Sequence, residues 1–102
     1  MPLPKYLIDR YKDWKNNFNP NNLKLHKELE KNQQKPKAMF ISCCDSRVNP
    51  SKIFKENTGD FFIYRNIANL VPDVESKNPD PGTLSAIEYG IKSLHISDLI
   101  IL

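Results

Sequence analysis

The sequence predicts an α/β fold in which a parallel sheet with flanking helices follows an N-terminal helical arm. Three observations carry this prediction. Apolar runs at residues 38–41, 61–64 and 99–102 have the length and side chains of buried strands. Helix signals lie between them: Asn49-Pro50 after the first run, and Leu84, Ile87, Ile91 and Leu94 at helical spacing before the third. Strand, helix, strand, helix, strand is the order of a parallel sheet with right-handed crossovers.

Residues 1–37 form the arm and 38–102 the α/β part. The arm is the basic region, with nine Lys or Arg against four Asp or Glu, whereas the remainder carries six against eight. Leu7, Tyr11, Trp14 and Phe18 recur at helical spacing and give the first helix an aromatic-rich face. Such a face needs a partner: this chain's own core, a second subunit or an anionic surface. Residues 16–22, with Pro20, read as a loop, and 23–32 as a short second helix with Leu25 and Leu29 inward. Residues 33–37, interrupted by Pro36, lead into the first strand.

After that strand, Asn49 is a favourable N-cap and Pro50 suits the first helical position, where a missing N–H costs nothing. Asn57-Thr58-Gly59-Asp60 is a turn, and Phe61-Phe62-Ile63-Tyr64 favours pleated structure. Residues 72–81 hold three prolines and read as an extended loop. Thr83 is the expected N-cap of the last helix, and Ser97-Asp98 turns into the final strand.

Composition narrows the function classes. With 39% hydrophobic and 26% charged residues the chain is globular in kind, and a net charge of +3 is too small to imply nucleic acid. Two adjacent cysteines make no disulfide framework, which suits a reducing cytosol. No apolar run approaches the roughly 20 residues of a membrane span, and residues 1–10 lack the apolar core of a signal peptide. A cytoplasmic address with no membrane partner is the expectation.

Chemistry concentrates at Cys43-Cys44-Asp45-Ser46-Arg47, on the strand-to-helix turn at the carboxyl end of the first strand, where open α/β sheets place their ligands. Three readings stand. Cys43 is a small buried hydrophobe beside ordinary turn residues; or the adjacent cysteines are a redox pair, against the usual spacing of such pairs; or the group binds zinc. A thiolate is a good zinc ligand, a carboxylate two residues on binds or turns away, and Arg47 offers that carboxylate a bidentate second partner. A phosphatase loop is excluded because its Cys-x5-Arg spacing needs two more residues than lie between Cys43 and Arg47.

Here the sequence resembles a known family. Cys43-Cys44-Asp45-Ser46-Arg47 resembles the Cys-x-Asp-Ser-Arg signature of the β-class carbonic anhydrases, Arg65-Asn66-Ile67-Ala68-Asn69 their Arg-Asn-x-Ala-Asn segment, and residues 82–89 the helix that follows. The resemblance implies zinc-dependent hydration of carbon dioxide to bicarbonate, with Cys43 and Asp45 as metal ligands and Asp45 and Arg47 as the catalytic dyad. It implies that Gln34 contacts substrate and that Phe62, Ile67 and Tyr89 wall the pocket, although core packing accounts equally for Phe62 and Ile67. Phe40 stands where members with a second, inhibitory bicarbonate site carry Trp, so no such site is expected. The family's N-terminal helices lie across a neighbouring subunit, which implies a homodimer or higher homo-oligomer.

The family's remaining zinc ligands, a His and a Cys, come just after the strand at 99–102, so the active protein is expected to be longer and this segment alone inactive. His26 and His95 read as surface histidines without ligand spacing. Taken alone, the segment is expected to be poorly soluble, with an open sheet edge and an unpaired aromatic arm. Two other functions remain open: a non-catalytic remnant or oligomerisation module with weak zinc binding, and a zinc hydrolase on the same scaffold acting on a relative of carbon dioxide such as carbon disulfide.

Overall fold

The computed structural model describes residues 2–45, 47–77 and 80–102. Two compact units emerge, Met1–Asn32 and Gln33–Leu102.

The first unit is a helix pair, α1 (Lys5–Asn16) and α2 (Pro20–Asn32). The aromatic face of α1 is real: the rings of Tyr11, Trp14 and Phe18 follow one another at 5.9 and 4.8 Å, and Phe18 meets His26 of α2 at 5.4 Å. Leu25 and Leu29 are the half-buried residues of α2, as their spacing predicts. The expected loop is shorter than 16–22, because Pro20 opens a helix. Asn19 accepts a hydrogen bond from the Asn21 N–H through its side chain, and Pro20 needs no donor in the first turn.

The second unit contains β1 (Ala38–Cys43), α3 (Pro50–Ile53), β2 (Phe61–Asn66), a 3-10 turn at Ile67–Asn69, α4 (Pro81–Lys92) and β3 (Asp98–Ile101). The three strands run parallel in the order β2-β1-β3, as the alternation of elements predicts. The first two strands run two residues further than their apolar runs. Pairing continues through Ser42↔Arg65 and Cys43↔Asn66, and the Cys44 N–H still reaches the Asn66 carbonyl. The turn before β2 is built as expected, with Gly59 at φ 90, a conformation other residues rarely adopt.

β1 is the core, buried from Ala38 to Ser42. Its side chains alternate between the two faces of the sheet. Phe40 stacks with Phe54 beyond α3 at 5.5 Å, while Met39 lies against α4 on the other face. That second contact sets the inward stripe of α4. At Gly90 a Cβ would meet the Met39 sulfur at 3.1 Å and the Phe62 ring at 3.3 Å, so a larger residue would make these side chains give way, and glycine suits this close approach of helix and strand. The stripe therefore runs through buried Thr83 and Gly90 with half-buried Ile87 and Leu94, and Ile91, expected inward, is exposed. Thr83 is likewise not the N-cap. Asp80 takes that place with Pro81 in the first turn, and its side chain accepts from the Gly82 and Thr83 N–H groups.

One core atom stands out. The Ser42 hydroxyl is fully buried and has no hydrogen-bond partner among the described residues. An unmet buried hydroxyl costs about 1–3 kcal/mol. Ser42→Ala is therefore expected to leave the urea midpoint unchanged or raise stability by about 1 kcal/mol; a loss of that size would mean that the hydroxyl is paired.

Candidate metal centre

The carboxyl end of β1 carries the candidate site. Cys43 is the last residue of the strand and half-buried, and Cys44 and Asp45 turn outward into solvent. Arg47 is also exposed, Ser46 lies outside the described residues, and Asn49 caps α3 by accepting the Ser51 N–H at 3.0 Å. The turn is held from the neighbouring strand, where the Arg65 guanidinium donates to the Val48 carbonyl at 2.7 Å. Arg65 thereby fixes the backbone of the signature turn.

The Cys43 sulfur accepts a hydrogen bond from the Ala68 N–H at 3.2 Å. Ala68 and Asn69 have left-handed backbones, φ 68 and 45, in the turn that follows β2. The Asn66 side chain closes this turn, donating to the Leu70 carbonyl at 2.7 Å and accepting from the Leu70 N–H at 3.0 Å. It also donates to the Thr83 hydroxyl oxygen at 3.2 Å, and Thr83 donates to Asp80 at 2.5 Å. Sequence reasoning missed this network. The Arg-Asn-x-Ala-Asn segment was its only visible sign.

The Thr83 hydroxyl, with the backbone N–H groups of Thr83 and Gly82, holds the Asp80 carboxyl below the usual carboxylate range. A carboxyl whose folded value lies below its unfolded value stabilises the fold fully above the unfolded value. The contribution is lost as pH falls through the folded one. The Asp80 contribution to thermal stability is thus expected to be fully present and independent of pH near neutrality and to decline below about pH 4, a decline absent in Asp80→Asn. An equal acid decline in that variant would remove Asp80 from the effect.

The other candidate residues are dispersed. Ile67, 73% exposed, sits beside Cys43's end of the sheet and lines a pocket with Asn66, Leu70 and Asp80.

 The volume of that pocket is about 430 Å³. Another pocket, about 490 Å³, lies at the opposite end of β1, where Gln34 lines it with Lys35, Lys37 and His95. Six residues of strand separate the two ends, roughly 17 Å at the usual rise, so one chain does not bring Gln34 to Cys43. Phe62 and Tyr89 meet each other at 5.8 Å on the α4 face, and Phe62 pairs in register with Met39 near the start of β1. Asp45 and Arg47 are not joined by an ion pair among the described residues, where the pairs within 4 Å are Lys5–Asp9 and Lys92–Glu88.

The zinc ion implied by the resemblance finds donors of the right kind here, a half-buried thiol already oriented by a backbone N–H and a carboxylate two residues on. They supply two of the four positions of a tetrahedral site. Among the described residues no group of three His, Cys, Asp or Glu converges. His26 belongs to the first unit, and exposed His95 lies at the end of the sheet away from Cys43.

Residues 38–102 match the family described as carbonic anhydrase. The carbonic anhydrase of Pseudomonas aeruginosa is 35% identical over 96 residues, which are 93% of this chain and 42% of that protein. The solved structure of the β-carbonic anhydrase CcaA matches with a TM-score of 0.80 at 30% identity, over 93% of this chain and 41% of its own. A structure from the two tetrameric β-carbonic anhydrases of Sordaria macrospora matches with a TM-score of 0.77 at 28% identity, over 94% of this chain and 46% of its own. The chain thus spans less than half the length of each of these relatives.

Proposed function

The chain belongs to the β-class carbonic anhydrase family, and from that premise we propose that residues 38–102 contribute to a zinc site for the reversible hydration of carbon dioxide to bicarbonate. The observation that carries the reading is the Cys43 sulfur at the carboxyl end of the central strand, with Asp45 and Arg47 on the turn that follows.

Cys43 and Asp45 would hold the metal, which when bound supplies a Lewis acid that makes water a nucleophile near neutral pH. The residues around it do the rest. Arg47, which makes no ion pair with Asp45 in this structure, would give the Asp45 carboxylate a second partner, so that the carboxylate could occupy a ligand position or vacate it. Arg65 keeps the backbone between them in place through Val48. Exposed Ile67 offers an apolar wall suited to a small uncharged substrate.

The reading includes a homo-oligomer. Gln34 lies at the far end of β1 from Cys43, and a second copy is the simplest source of a glutamine at this site. The Sordaria macrospora relatives are tetrameric. A cytosolic address would keep Cys43 as the free thiol this role needs, and no helix among the described residues is long and apolar enough to cross a membrane.

The test is to express the whole protein that carries these residues, challenge it with a chelator, and measure retained zinc and carbon dioxide hydration on the same sample. Retained zinc with hydration supports the proposal. Zinc that is lost without hydration supports the weakly binding remnant instead, and zinc retained with turnover of carbon disulfide but not carbon dioxide supports the hydrolase.

A further inference from the structure

We propose that Asn66 and Thr83 are positioning residues that hold the Ala68 N–H on the Cys43 sulfur, so that the strand presents its thiolate in one orientation with part of its charge already met by a backbone donor. This deepens the proposed function and rests on its reading of Cys43 as a zinc ligand.

Ala68 has a φ of 68, which is sterically disfavoured for a residue with a Cβ. A neighbouring left-handed residue, Asn69, shares the cost, so the surroundings must determine this backbone. The Asn66 side chain does so. Its amide pairs in both directions with the Leu70 backbone, as a second peptide group would, and forces the intervening residues into a tight turn. The Ala68 N–H then points at the sulfur.

Asn66 is itself fixed by α4. A side-chain amide has two N–H donors, and these match the Leu70 carbonyl and the Thr83 oxygen. Thr83 is fully buried; its single O–H goes to Asp80, which leaves its oxygen free to accept from Asn66. Each group in the relay has the donor or acceptor its neighbour requires. Groups behind a metal ligand orient it and tune its donation, and this relay connects the start of α4 to the sulfur through hydrogen bonds and the tight turn they close.

The test uses amide hydrogen exchange in the full, zinc-free chain, compared across Thr83→Val, Thr83→Ser and Asn66→Asp. The expected result is that Thr83→Val and Asn66→Asp speed exchange at Ala68 by about fivefold to tenfold relative to the Met39 and Ile41 amides, which report unfolding of the core. Thr83→Ser, which keeps the hydroxyl, is expected to restore the slow rate. Exchange at Ala68 that is unchanged, or that only follows the core amides, overturns the proposal. A zinc competition on the same variants separates the two readings. Selective loss at Ala68 in a chain that takes no zinc upholds the relay while the zinc reading fails, and firm zinc binding with an indifferent Ala68 does the reverse.

Discussion

In the whole protein that carries these residues, Cys43→Ser is expected to abolish zinc retention, with zinc affinity down by more than about a hundredfold, since changes behind a ligand alone cost 10–100-fold. Hydration of carbon dioxide is expected to fall with it. The fold should survive, because Cys43 is only half-buried at the end of β1 and a serine oxygen can still accept the Ala68 N–H. The control is the adjacent residue. Cys44 is exposed in the turn, so Cys44→Ser is expected to retain zinc and activity within about twofold, as surface substitutions usually do. Equal losses from both variants would favour a vicinal thiol pair over a single ligand, and retained zinc in Cys43→Ser would remove the sulfur from the site.

Much of this arrangement was legible because it depends on local chemistry. The apolar run before the signature, with Asn49-Pro50 after it, located the strand, the turn and the next helix, and Asn49 does cap α3. Legibility failed where one element is chosen by another. Helical spacing put Ile91 inside α4, but the close approach of Met39 favours Gly90 at that face, and a count of apolar residues gives glycine no weight. Thr83 has the chemistry of an N-cap, yet Asp80 followed by Pro81 takes the cap, leaving Thr83 buried one turn inside the helix.

The candidate site divides in the same way. Residue types and spacing pointed to Cys43, Asp45 and Arg47, whereas the backbone donor on the sulfur comes from Ala68, twenty-five residues away in sequence. Alanine gives no sign of a left-handed conformation; only the Asn66 side chain, folded back on Leu70, makes it necessary. Gln34 was placed at the site by resemblance alone. Its position at the opposite end of β1 turns that expectation into a question about a second copy of the chain.

The largest effect on stability is expected from Ile41→Ala. Ile41 is fully buried in the central strand, paired in register with Tyr64 of β2 and Ile101 of β3, so its side chain has a neighbour on either side within the sheet. Truncating a buried isoleucine costs about 2–5 kcal/mol through lost burial and the cavity left behind. A chain of 102 residues is expected to have only about 5–15 kcal/mol in total, so much of its margin depends on this one side chain. Ile101→Ala supplies the contrast, because Ile101 is exposed on the outer strand and is expected to cost less than about 1 kcal/mol. Urea unfolding at constant slope would measure both. A cost at Ile101 equal to that at Ile41 would mean that the β3 face is covered in solution, and that the central strand does not carry the core alone.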